Sequence, residues 1–500
     1  MRNRTKTIKY IVSVFLSILF IFLIYQIILL KKPLNYKSEN LKANSKNTCV
    51  SEFSTDISDN IVSLSQIWAS AKEYYPFWTS EKIKLWDDVY NNAVDKVLEL
   101  NSYYNYYVEM EKMVATLDDG HVAILPNNKI KEEIGVLPYD FDYYDGHFYI
   151  IAKTENSKLP LYSEVIKVNN IDTIDFLKKE IVQLIPVKTN NAYLYESMKR
   201  LMYSKLGSEI NITVKTLDGK IISEKAKYEI PLSSYDKVKF NNAYVELPQT
   251  SRTLYKSHTF TLAELEKGIY YLGIYTFSNN DMVLEFEKNI IPLLNSCEEI
   301  IIDVRNNNGG NGENGENILQ CLLGDNIKEL SGYCQVKNAR KMAIATNFGE
   351  LDDKLIDKDL KDDLEIGLSM LDSTYLEKIT PSTSENSSSK PSIKKTIKPI
   401  VLISHKSGSA VDDFAAYAHS SGKIMLIGTN TRGATGLIAR TKLSNGCEFI
   451  ISSQKIYTPE GVQIQNNGIA PDYTAWQTIE DLRVHKDTTL LYALEKIHEK

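Results

Sequence analysis

The chain has 500 residues, too many for one ordinary hydrophobic core, so two or three domains are expected. Its hydrophobic content of 43% and charged content of 24% are those of a globular protein and exclude a disordered one. A net charge of −6 with dispersed signs, and no tract in which Lys and Arg alternate with aromatics, gives no basis for a nucleic-acid partner.

Arg2, Arg4, Lys6 and Lys9 precede an uncharged run from Tyr10 to Leu30, long enough to cross a bilayer as a helix. No small-residue cleavage site follows it, so residues 1–32 are read as a cytoplasmic stub and uncleaved anchor, with the bulk of the chain outside the cytoplasm. Residues 33–55 are polar and read as a tether. Apolar positions three and four apart, Ile61, Leu64, Trp68 and then Trp86, Val89, Ala93, predict helices in an N-terminal helical domain over 56–126. A third helix near Tyr106–Leu117 leads into Asp118-Asp119-Gly120-His121. Residues 127–230 change to short strands between turns, Phe148–Ala152, Glu164–Val168 and Ile210–Lys215, and predict a compact β-rich module.

From Gly268 the pattern is α/β. Strand Ile269–Ile274, a helix over Asp281–Leu294 and strand Glu299–Val304 form a crossover unit, which implies parallel pairing. Residues 231–480 are read as one core, with an exposed polar insertion at 335–398, and 481–500 as a C-terminal helix. Three segments fall at carboxyl ends of strands, where open α/β sheets place their sites. These are Arg305-Asn306-Asn307-Asn308-Gly309-Gly310, Ser407-Gly408-Ser409-Ala410, and Gly428-Thr429-Asn430-Thr431-Arg432-Gly433. Strand, tight turn and helix around Ser409 would present its hydroxyl beside the first N–H groups of a helix, although a serine there is also ordinary N-cap chemistry.

In this order, with Asp-Gly-His upstream and Gly468-Ile469-Ala470-Pro471-Asp472 downstream, these segments resemble the S41 serine peptidases, the tail-specific or C-terminal-processing enzymes and their tricorn-like branch. The resemblance implies an α/β peptidase core of crotonase/ClpP-like type, a PDZ-like module in which Ser163-Glu164-Val165-Ile166-Lys167-Val168-Asn169-Asn170 matches a family strand, a polypeptide substrate and no cofactor or metal. It implies Ser409 as nucleophile, the backbone N–H groups of Gly309 and Ala410 as oxyanion donors, and His121 as base. Where one branch places a lysine, this chain has Ala434, so the resemblance is closer to the Ser-His branch. A Ser/Lys peptidase with a displaced lysine and an inactive peptide-binding relative are the alternatives. Tricorn-like enzymes carry a serine at the position of Gly120 and a glutamate at that of Gln465. Gln465, Glu460 and Asp119 are therefore the candidates for the group behind the imidazole. His405 lies near Ser409 in sequence but at a strand end, and His419 more than two helical turns away. The five cysteines show no paired spacing for zinc or a disulfide framework.

Overall fold

The computed structural model describes residues 56–323, 328, 330–335, 376–379 and 399–499. The expected anchor and tether lie outside the described residues, and among the described residues no helix is long and apolar enough to cross a membrane.

Strands Ile269–Ile274 and Ile400–Ile403 are buried at every position, as expected for strands covered on both faces. They belong to a seven-stranded sheet whose order is Arg252–Lys256, Phe260–Glu266, Ile269–Ile274, Glu299–Asp303, Ile400–Ile403, Met425–Gly428 and Tyr473–Thr474. The first three strands are antiparallel and the last five parallel, with Leu272 beside Ile302, Ile302 beside Val401 and Val401 beside Leu426. One face is covered by the helical segment Met282–Ser296 and by helices Gly312–Leu323 and Ala410–Ser420, through Phe286, Ile318, Val411 and Phe414. Leu490, Ala493, Leu494 and Ile497 of helix Thr488–His498 cover the other. Parallel strands aligned in this way bring Asp303, Ile403 and Gly428 to one end of the sheet, and the three loops that follow them converge there.

The three predicted helices form as Ile57–Tyr74, Ser80–Val97 and Tyr103–Ala115. Their core contains Trp86, Tyr106 and Met110, but also Phe449 and Ile451 from far along the chain. Strand Ala123–Leu125 pairs antiparallel with Glu448–Ile450 of strand Glu448–Ser452, so the expected boundary at residue 126 is crossed by a shared sheet and a shared core. The apolar face of the helices is larger than they can cover among themselves, and the hairpin Ile438–Lys442/Glu448–Ser452 completes it.

Residues 139–227 form an antiparallel sheet in which His147–Lys153, Glu164–Val168, Glu209–Lys215 and Ile221–Lys227 are successive neighbours. The short strand Asn241–Asn242 extends it beyond the expected limit of 230. Within the stretch read as an exposed insertion, Leu376–Ile379 pairs with Ser331–Gln335, which pairs with Gln454–Tyr457. Its alternating apolar positions are few, and the polar sequence around them hides the strand.

Candidate active site

The turn before helix Ala410–Ser420 is held by two of its serines. Ser404 Oγ donates to the Arg305 carbonyl at 2.6 Å, and Ser407 Oγ to the Val304 carbonyl at 3.0 Å. Ser409 stands at the N-cap position, yet its side chain makes no capping hydrogen bond. Its backbone lies at φ 58° and ψ −128°, a conformation that L-residues adopt only when their surroundings impose it. The imposing contacts are visible: Ser409 N donates to the Ala434 carbonyl at 2.6 Å, while Arg432 N donates to the Ser407 carbonyl at 2.7 Å. The ordinary N-cap reading of this serine is thereby excluded. Ala410 N–H has no acceptor among the described residues.

The glycine loop approaches the turn from the neighbouring strand. Gly309 has φ 99°, and a β-carbon built on it would lie 3.0 Å from Ala410 N. Asn307 is fully buried and organises this loop: its Nδ2 donates to the Ile274 carbonyl at 3.2 Å, and its Oδ1 accepts from Gly309 N at 2.8 Å. The expected oxyanion donor is thus occupied, and Asn307 must release it before it can serve a substrate. Arg305 braces the scaffold, because its guanidinium binds both Asp303 and Asp487, at 2.6 and 2.5 Å, and ties the strand end to the start of the C-terminal helix. These two carboxylates hold its pKa well above the usual arginine range despite burial.

His121 arrives from outside this sheet. Asp118 takes φ 53° and Val122 N closes a turn onto the Asp119 carbonyl at 3.0 Å, so the residues between them fold back over the loop at Gly433–Thr435. A β-carbon at Gly120 would lie 2.7 Å from Ala434 Cβ. Ser409 and His121 are thus both tied to one short segment, since Ala434 O accepts from Ser409 N and Gly120 packs on Ala434, although among the described residues no hydrogen bond joins the two side chains. Burial first, and then the Arg432 guanidinium, lowers the His121 pKa to about 4, so the ring is neutral at pH 7.

Of the three candidates for the group behind the imidazole, only Asp119 touches His121, and it does so at the backbone N–H rather than at the ring. Asp119 is buried and its Oδ1 accepts from the backbone N of His121 at 3.0 Å, while Ser452 Oγ lies 3.4 Å from His121 Nδ1. Burial raises the Asp119 pKa, against the pull of the His121 backbone N–H. Gln465 does not hold the ring. Its Oε1 accepts from Ile456 N at 3.1 Å and its Nε2 donates to the Thr435 and Gln454 carbonyls, each at 2.9 Å, which spends the amide on the backbone. Glu460 is exposed and bound to Ser420, at the far end of the helix that Ser409 begins, and to Lys328. A carboxylate so placed cannot face His121.

His405 is buried elsewhere, with Nε2 3.7 Å from Asp142 and its ring against Tyr195, while His419 is exposed. Lys406 is paired with Asp142 and Lys423 is exposed, so neither supplies a displaced lysine.

Sequence reasoning missed Ser452, Asp412 and Asp413. Asp412 accepts from Gly433 N at 3.0 Å and Ala434 N at 2.9 Å, and Asp413 accepts from Thr435 Oγ1 at 2.5 Å. The segment that touches both Ser409 and His121 is thus clamped by two acids in the first turn of the serine helix. Burial raises Asp412 to about 6 and Asp413 to about 7, the latter with help from the charge of Asp412. Two acids in a first helical turn read as dipole partners, and a serine ending an apolar strand carries no motif.

The model of peptidase family S41 matches residues 268–475. Those residues belong to peptidase family S41. The S41 segment includes Ser409, the glycine loop and Ser452 but does not reach His121, which the preceding part of the chain supplies. No curated protein matches the chain by sequence. Among solved structures, mature CPAF complexed with lactacystin is 17% identical with a TM-score of 0.62, covering 89% of this chain and 98% of that one. A second structure of mature CPAF is 16% identical, with TM-score 0.62 and coverage of 89% and 97%. The likeness is one of fold, and it extends well beyond the S41 segment. The photosystem II D1 C-terminal processing protease also aligns, at 13% identity and TM-score 0.42, over 83% of this chain and 93% of that one.

Proposed function

We propose that this S41 peptidase is a membrane-anchored serine endopeptidase acting outside the cytoplasm. Ser409 Oγ attacks the substrate carbonyl as His121 takes its proton. The Ala410 N–H, joined by that of Gly309 once Asn307 lets go, stabilises the oxyanion. Protonated His121 then delivers its proton to the leaving amine, and water resolves the acyl-enzyme by the reverse use of the same groups. Ser452 Oγ, beside Nδ1, orients the ring, and Asp119 holds the backbone that carries it. The module over 127–230, read as PDZ-like, would take the free carboxylate end of the polypeptide by strand addition.

One observation carries the reading: Ser409 occupies a cap position without capping, at a strained φ of 58°. A hydroxyl held this way at the mouth of an S41 fold serves chemistry rather than helix stability. An alkyl fluorophosphonate should label the wild-type protein covalently and leave the folded Ser409→Ala variant unlabelled. Folded wild-type protein that resists labelling would sink the serine mechanism. Placement is tested separately: protease added to intact cells should remove the bulk of the chain, and full protection would refute an outward-facing domain.

A further inference from the structure

His121 and Ser409 are carried by separate stretches of chain, so their relative placement depends on what ties one stretch to the other. Two side chains of the S41 segment hold the loop Asp118–His121 by its carbonyls. Asn466 Nδ2 donates to the Asp118 carbonyl at 2.7 Å, and Arg432 Nη2 to the Gly120 carbonyl at 3.3 Å. Asn466 is anchored in turn by its own N–H on the Gly433 carbonyl at 2.8 Å.

Arg432 reaches further. Its N–H donates to the Ser407 carbonyl at 2.7 Å, two residues before the nucleophile, and its side chain lies over Gly408, where a β-carbon would meet Arg432 Cδ at 3.0 Å. Nη2 also stands 3.2 Å from Glu196 Oε1, on helix Asn190–Leu201, which packs into the core of the strand-rich module through Met198 and Leu201. One residue thus touches the serine turn, the base loop and the module. The planar guanidinium suits this task, because its several donors can serve a carboxylate and a carbonyl at once.

The guanidinium is also the charge set against the ring. Burial first, and then Arg432, lowers the His121 pKa, whereas Asp119 is bonded at the backbone N–H of His121 and Ser452 is uncharged. The remaining charges on the elements packed here have partners of their own. Asp118 is paired with Lys82 and Lys188, Glu196 with Arg432 itself, and Asp412 and Asp413 with the segment Gly433–Thr435.

We infer that Arg432 is a positioning residue of the site: anchored on Glu196, it holds the loop that carries His121 against the turn that carries Ser409. The assignment rests on His121 acting as the base of the proposed mechanism.

The test follows labelling of the full chain by an alkyl fluorophosphonate, resolved into probe affinity and the rate of the bound step, from about pH 3.5 to 8. Arg432→Gln should leave probe affinity unchanged and slow the bound step about ten- to a hundredfold near neutral pH, the scale of a misplaced catalytic group. Its acid limb should also move up toward the ordinary histidine value, because the opposing charge is gone. A purely structural loss would not move that limb. Glu196→Gln keeps the charge but frees the guanidinium, so the bound step should slow severalfold with the limb no higher than in the wild type; it serves as the second variant should the first unfold. A wild-type bound step in either folded variant, an unmoved limb in Arg432→Gln, or a loss confined to probe affinity would overturn the assignment. No labelling of the wild type would instead count against the serine mechanism, and His121→Ala labelled at the wild-type rate against the base, so the failures are told apart.

Discussion

A β-carbon on Gly309 would stand 2.6 Å from the β-carbon of Ser409, a separation that real side chains do not reach. Gly309→Ala must therefore push the serine turn away from the loop, and alanine at φ 99° is strained as well. The variant should lose most of its fluorophosphonate reactivity, on the order of a hundredfold, the scale of removing an oxyanion donor. Its melting temperature should fall by only several degrees. Wild-type reactivity in Gly309→Ala would show that the loop does not serve the serine.

The pH dependence of reaction follows from His121. With its pKa lowered to about 4, the ring is already neutral above about pH 5, so the rate of Ser409 labelling should be flat from about pH 6 to 7.5 and halve near pH 4. An acid limb centred on the ordinary histidine value of about 6.5 would contradict the burial argument. Stability is the poorer reporter. With the His121 pKa lowered in the fold, the unfolded chain takes up the proton first, so stability is full above about pH 6.5 and is lost as pH falls from there through 4. Asp412 and Asp413 are raised to about 6 and 7, and their contribution is present below about 3.9 and lost as pH rises through those values. The two trends oppose each other over the same range.

Ser452 offers a separate check on the proposed orientation of the His121 ring. Ser452→Ala removes a hydroxyl at a fully buried position beside His121 Nδ1. Labelling should slow by about ten- to a hundredfold with a shifted acid limb, and Asp119→Asn should slow it comparably. A double variant no slower than either single one would place both residues in one relay, whereas multiplied effects would separate them.

Gly120 and Ala434 should behave as a coupled pair. A β-carbon at Gly120 meets Ala434 Cβ at 2.7 Å and Val187 Cγ2 at 3.2 Å, so Gly120→Ala overpacks the contact and should cost about 1–3 kcal/mol. Ala434→Gly alone should be mildly destabilising, and the double variant should recover much of the loss in thermal or denaturant unfolding. Additive losses would refute the contact.

The parts of the site that were legible in the sequence are those fixed by local backbone chemistry. Strand, turn and helix around Ser409, and the buried strand leading into Asp303–Gly310, follow from short apolar runs and turn residues, and the loops met because parallel strands share one end. The groups behind His121 were not legible, because nothing local marks them. Glu460 and Gln465 are polar residues near the right stretch of sequence, yet one is spent on Ser420 and the other on backbone carbonyls. Ser452 ends an apolar strand and becomes significant only when strand Glu448–Ser452 pairs with Ala123–Leu125. The helical domain boundary failed for the same reason: a pattern shows which face is apolar, but not which distant segment will cover it.

The contact between His121 and Ser452 joins residues 331 positions apart, and the strand pairing beside it has comparable reach. Closing so long a loop costs entropy that no local interaction repays in advance, so such contacts form late in folding. The helices of the chain, whose contacts are local, can form well before His121 is brought to Ser452. On the proposed mechanism, proteolytic competence would then be a late event of assembly, set by a contact that spans most of the chain.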